Sequence, residues 1–208
     1  MDHGPWSIDF EPQLKQLTLT NTPMSKILIL SSSVRTGKKS NRVALYFTNF
    51  IKEKNIGEAE LLDLEDFHFP LFNERLRFLK DPPQTLLDFA AKIKSADGII
   101  LVTPEYNGGY PASLKNAIDV LYDEWKRKPI AISTVSNGPF GGMNVITSIQ
   151  YSLWKIGACT VPALFPVPNI EKSYDENGVP ADKEGTDKRA ALFIGELTWW
   201  MEAVTRMA

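Results

Sequence analysis

The sequence predicts an open parallel α/β sheet covered by helices on both faces. Three observations predict it. Short apolar runs recur at 26–31, 59–64, 98–103, 129–135 and 158–164, each about the length of a buried strand. Amphipathic helical patterns separate them. Right-handed crossovers between parallel strands leave few topologies, and ligands in such sheets bind beyond the carboxyl ends of the strands.

The elements follow in order. Residues 1–24 carry Pro5, Pro12 and Pro23, and their apolar residues hold no period. A poorly ordered N-terminal extension is expected there, ahead of one domain over 25–208. Met24-Ser25-Lys26 runs into the first strand, Ile27-Leu28-Ile29-Leu30. Val43, Phe47, Phe50 and Ile51 share one face of a first helix. Asp81-Pro82 is read as a cap and first-turn proline for a second helix, whose face is Leu86, Ala90 and Ile93. Leu114, Ala117, Ile118 and Leu121 form a third stripe. Ile146, Ile149, Leu153 and Ile156 form a fourth, which Gly157 terminates. The charge-rich stretch from Glu171 to Arg189 is read as a solvated loop. It enters a last helix with Phe193, Leu197, Trp200, Met201 and Val204 on one face.

Composition excludes several functions. The chain has 208 residues, 43% hydrophobic and 23% charged, as an ordinary globular domain does. Its formal net charge of −2 argues against a mainly electrostatic nucleic-acid binder. The same value falls short of the acidic surface of a steered electron carrier. One cysteine and two histidines leave no intrachain disulfide, no cysteine-cluster metal site and no His-rich metal site. No apolar run is long enough to span a bilayer, and the N-terminus has no signal-peptide pattern. A soluble, cytoplasmic protein is expected, with no nucleic acid, membrane or metal partner.

Function should lie in the loops after the first, third and fourth strands. The first, from Ser31 to Arg42, holds hydroxyls, the four cations Arg35, Lys38, Lys39 and Arg42, and a helix cap at Ser40. A helix N-terminus offers unpaired N–H donors and a positive dipole end, which suit a phosphate. Arg35 and the hydroxyls could complete its shell through charge-assisted hydrogen bonds. A solvated serine-rich connection is the plain alternative. Neither GxxxxGK[ST] nor GxGxxG is present.

The second loop runs Thr103-Pro104-Glu105-Tyr106-Asn107-Gly108-Gly109-Tyr110-Pro111. Gly108 and Gly109 allow close backbone approach, and N–H groups with Asn107 could bond the polar edge of a flat ring. The third, Ser136-Asn137-Gly138-Pro139-Phe140-Gly141-Gly142, is again glycine-rich. A tight turn and a generic connection are the respective alternatives. Together the loops suit a phosphate joined to a planar heterocycle. No nucleophile–base–orienter set accompanies them.

Three stretches carry a resemblance. Pro104-Glu105-Tyr106-Asn107, Pro111 and Leu114-Lys115-Asn116-Ala117-Ile118-Asp119 are similar to a PEYN…P…LKNAID signature. Ser33-Val34-Arg35 followed by Ser40 is similar to a GSxR…S phosphate loop, with Ser32 in place of the glycine. Phe69-Pro70-Leu71-Phe72-Asn73-Glu74 is similar to a segment after the second strand. Across residues 25–203 the chain resembles the NAD(P)H-dependent FMN reductases, flavodoxin-like proteins that include quinone, azo-dye and chromate reductases.

The resemblance implies a three-layer flavodoxin-like fold with strand order 2-1-3-4-5. It implies bound FMN, NADPH or NADH as electron donor, and a homodimer or tetramer. Carried over by position, Ser33, Arg35, Ser40 and Asn41, with Arg42 beside them, would hold the phosphate. Pro104, Glu105, Tyr106, Asn107 and Gly108 would line the isoalloxazine, with Ser136, Gly138 and Gly141 on the third loop. A small-molecule acceptor such as a quinone, free flavin or azo compound would take two electrons in a ping-pong cycle. The flavin performs that chemistry, so no catalytic side chain is assigned. A one-electron carrier and a non-catalytic flavin-binding sensor or scaffold are the rival functions. Cys159 is expected to be a buried structural thiol, and His68 a surface or packing residue.

Overall fold

The computed structural model describes residues 24–68 and 70–207. The expectation for residues 1–23 lies outside them. The strands are β1 (Lys26–Ser31), β2 (Glu58–Asp63), β3 (Gly98–Pro104), β4 (Pro129–Val135) and β5 (Cys159–Val167). The helices are α1 (Asn41–Glu53), α2 (Gln84–Ser95), α3 (Ala112–Val120), α4 (Ile146–Lys155), the short α5 (Ile170–Ser173) and α6 (Lys183–Arg206). The strands pair in parallel in the order β2-β1-β3-β4-β5, that of a flavodoxin-like sheet.

Two-residue periodicity divides the apolar side chains between two cores. Leu28, Leu30, Ile99, Leu101, Ile130 and Ile132 face α2, α3 and α4. Ile27, Ile29, Ile100, Val102 and Ala131 face α1 and α6. The second core is aromatic: Phe47 packs edge-on to Phe165 at 5.0 Å between centroids, and Phe193 lies 5.4 Å from Phe47. Phe47 is fully buried, so Phe47→Ala would cost roughly 3–5 kcal/mol.

Several local expectations change. The second helix begins at Gln84, not at Pro82, because Pro83 confines the preceding residue to extended backbone. Strand β5 continues to Val167, since an edge strand tolerates Pro162 and Pro166. Cys159 is half-buried at the start of that edge strand rather than enclosed. Gly157 ends α4 as expected: its N–H donates to Trp154 O and the Ala158 N–H to Leu153 O, both at 3.0 Å. With φ +79 at Gly157, this is a Schellman motif.

The stretch from Glu171 to Arg189 is less solvated than expected. Its second part is already α6, capped by Asp182, whose side chain accepts from the Gly185 N–H. Its first part folds back on α1. Tyr174 is buried, and a bridge joins it to Pro180. Gly178, at φ +80, sits where a Cβ would come within 2.6 Å of Arg42 O. Only glycine fits both that conformation and that approach.

Register places the functional loops. Ser31 is level with Asp63 and Val102, Pro104 with Val135, and Val135 with Val167. The loops after β1, β3 and β4 therefore leave one edge of the sheet side by side.

Candidate functional site

The first loop turns tightly. The Lys38 N–H donates to Arg35 O at 3.0 Å, and Gly37 takes φ +71 within that turn. Ser40 occupies the cap position of α1 as expected, but its backbone is helical and its hydroxyl makes no cap bond. The hydroxyls of Ser31, Ser32 and Ser40 are buried without a partner among the described residues. Buried hydroxyls are normally hydrogen-bonded, so orphans at the mouth of a helix are what an anion-binding loop leaves behind.

The four cations separate. Lys38 Nζ lies 2.6 Å from Asp63 Oδ1 and 2.7 Å from Glu65 Oε2. Lys39 pairs with Glu171. Arg42 donates from Nη1 to Tyr174 O at 2.9 Å, and its Nη2 lies 3.7 Å from Glu176. That orientation sets Arg42 toward the α5 side rather than into the loop. Among the described residues, Arg35 is the one of the four whose guanidinium has no partner; it is exposed at the loop's rim. Asn41 is half-buried on the first turn of α1. Burial works against the charge on Lys38, but the bonds to Asp63 and Glu65 outweigh it and raise its pKa.

The second loop is a hairpin turn. Tyr106 and Gly109 exchange both backbone hydrogen bonds, at 2.8 and 3.0 Å. Asn107 and Gly108, with φ +53 and +78, make the Asn-Gly turn that needs positive φ twice. Gly108 is required by that conformation and not by crowding, since a Cβ there meets open space within the chain. Pro104 is buried as the last residue of β3, Glu105 and Tyr106 are half-buried, and Asn107 is exposed.

Side chains join the loops. Ser33 Oγ and Tyr106 Oη are 2.7 Å apart, which ties the first loop to the second. Ser113, at the start of α3, donates to Ser32 O at 2.6 Å. Asn144 Nδ2 donates to Glu105 Oε1 at 3.0 Å, which ties the second loop to the turn after the third. In the third loop Ser136 Oγ donates to Gly138 O at 3.1 Å. Gly141 has φ +63, and a Cβ there would stand 3.0 Å from Pro166. Ser113 and Asn144 carry no sequence signal for the site, and nothing local sets Lys38 apart from the other loop cations; the partners of the three are 81, 39 and 25 residues away.

An open groove of about 470 Å³ lies beside the first loop, between Val34, Phe67, His68, Leu71 and Ser113. His68 is exposed at its rim. The groove takes no residue from Tyr106–Gly108 or from the third loop.

With this geometry, comparison with known proteins is decisive. The pattern of the NADPH-dependent FMN reductases matches residues 25–172. The chain belongs to that family. Membership places it among enzymes that use FMN with a nicotinamide nucleotide. An NAD(P)H-dependent FMN reductase of Schizosaccharomyces pombe is 36% identical over 142 residues, 66% of this chain and 69% of that protein. An FMN-dependent NADPH-azoreductase of Staphylococcus aureus is 34% identical over 182 residues, covering 83% and 93%. The flavoenzyme NAD(P)H:(acceptor) oxidoreductase FerB of Paracoccus denitrificans shares the fold, with a TM-score of 0.70 at 22% identity over 86% of this chain and 98% of that one.

Proposed function

We propose that this FMN reductase family member holds FMN across the three loops and passes two electrons at a time from NADPH or NADH to a small-molecule acceptor. The acceptor is a quinone, a free flavin or an azo compound. The observation that carries the reading is the division of labour in the first loop: among the described residues three of its cations are paired, while Arg35 and the hydroxyls of Ser32 and Ser40 in the same loop have no side-chain partner.

The residues fit a flavin phosphate. Arg35, Ser40 and Asn41 would bind it at the N-terminus of α1, where the helix dipole favours negative charge. Ser33 would add its hydroxyl while bonded to Tyr106. The Asn107-Gly108 turn offers exposed backbone, and Ser136, Gly138 and Gly141 supply the neighbouring wall. Bound FMN supplies the hydride-accepting and electron-donating chemistry; the chain supplies orientation and electrostatics. Arg42 acts on this reading through the backbone of the α5 side and not as a phosphate ligand.

The reading includes a cytoplasmic homodimer or tetramer. Leu71 and Phe140 expose 79% and 76% of their surface, and assembly would cover such side chains. Light scattering from the FMN-bound protein at a monomer's mass would contradict assembly.

The visible spectrum of the purified protein, followed by release and identification of the flavin, tests the cofactor. Steady-state NAD(P)H oxidation with a quinone then separates an enzyme from a one-electron carrier or a sensor. Flavin uptake without nucleotide oxidation would leave the reductase reading untenable.

A further inference from the structure

Lys38 is a buried cation in a phosphate loop that turns away from the expected phosphate. Its side chain is 7% exposed, and its ammonium lies between Asp63 and Glu65 at 2.6 and 2.7 Å. Two of its three donors are thereby engaged. The anchor is tied to the sheet. Asp63 ends β2 level with Ser31 of β1, and its Oδ1 also accepts from the Glu65 N–H at 3.0 Å.

The anchor reaches Arg35 through one turn. The Lys38 N–H donates to Arg35 O, so Lys38 closes the turn that Arg35 opens. Holding Lys38 against β2 sets the course of Arg35–Ser40. Removing one partner of a buried ion pair leaves the other charge uncompensated.

We propose that Lys38 is a positioning residue for the phosphate-binding loop: pinned between Asp63 and Glu65, it fixes the turn that carries Arg35 without touching the phosphate itself. The inference rests on the FMN reading above. Its consequence is selective, because a loop displaced at Arg35 loses the phosphate and not the ring.

The test titrates flavin-stripped full-length protein with FMN and with riboflavin, following flavin fluorescence. Lys38→Met should weaken FMN by about tenfold or more and riboflavin by no more than about twofold, while Lys38→Arg retains most FMN affinity. The double variant Asp63→Asn/Glu65→Gln should also weaken FMN selectively. Adding Lys38→Met to it should cost little more, because residues that act as one unit are not additive. Glu65→Gln alone, at a half-exposed carboxylate, should give a smaller loss of about threefold in the same direction.

If the double variant binds FMN as tightly as the wild type or tighter, while Lys38→Met loses affinity, Lys38 contacts the phosphate directly and the inference falls. Equal losses for FMN and riboflavin, or no loss for either, overturn it too. A folded wild type that takes up neither flavin refutes the FMN reading itself. A wild type that binds FMN alongside indifferent variants refutes only the role of Lys38.

Discussion

The hydroxyls of Ser33 and Tyr106 lie 2.7 Å apart, in loops that follow β1 and β3. The contact joins the residue expected at a phosphate to one expected at a ring, so the two halves of the site share one bond. A single neutral hydrogen bond contributes about 0.5–1.5 kcal/mol. Ser33→Ala and Tyr106→Phe should each lower the stability of the flavin-free protein by about that amount in urea denaturation. The double variant should cost little more than either single one. Full additivity would show that the two hydroxyls are not energetically coupled.

Arg35 should carry much of the recognition of the phosphate, because its guanidinium has no partner among the described residues. Arg35→Ala is expected to weaken FMN binding by about 1.5–3 kcal/mol, the range for a hydrogen bond to a charged group. Riboflavin, which lacks the phosphate, should bind both proteins nearly alike. A matching loss for the two flavins would remove Arg35 from the phosphate.

At the opposite end of the sheet, Glu60 joins two lysines. It lies 2.7 Å from Lys26 Nζ and also pairs with Lys92. The hydrogen bonds from Lys26 and then Lys92 hold its carboxyl below the ordinary glutamate value of 4.5. A depressed value in the folded state means that folding favours the charged form. The contribution is therefore complete above the unfolded value and lost as pH falls through the folded one. Glu60→Gln should lower Tm near neutral pH, and the difference should shrink as pH falls below the ordinary glutamate value. A Tm difference unchanged across that range would show that the ionic pairing contributes nothing. Partial exposure makes the effect small, and added salt should reduce it.

Turnover should follow ping-pong kinetics. On the proposed reading, one flavin site and no nicotinamide fingerprint would leave the donor and the acceptor to share one surface, so that one leaves before the other enters. Double-reciprocal plots should give parallel lines, and quinone should reoxidise pre-reduced enzyme with no nucleotide present. Intersecting lines and a trapped complex of enzyme, nucleotide and quinone would point to a second surface. The groove beside His68 would be the first place to look.

Much of this architecture is legible along the chain. The runs at 27–30, 99–102 and 130–132 are apolar because both faces of their strands are covered, and the helical stripes at 43–51 and 193–204 repeat every three to four residues because one side of each helix is buried. The Asn107-Gly108 turn and the Gly157 stop are readable for a similar reason: positive φ restricts which residues can occupy a position. The start of α2 is misread because the two adjacent prolines act on each other's backbone, which a cap rule applied to Asp81-Pro82 alone does not weigh.

What local pattern cannot carry is the pairing of polar groups. Four cations in one loop look equivalent in sequence. Only the approach of Asp63, Glu65, Glu171 and Tyr174 from distant elements separates Arg35 from the other three. Ser113 and Asn144 likewise acquire their roles from partners brought together at the end of the sheet. The sequence by itself determined the strands, the helices and the loops at which a ligand could bind, because burial and backbone conformation leave periodic, local marks. Tertiary structure alone decided which of those loop side chains remain free to bind it, because a hydrogen bond or ion pair depends on a partner's position in space and leaves no period in the chain.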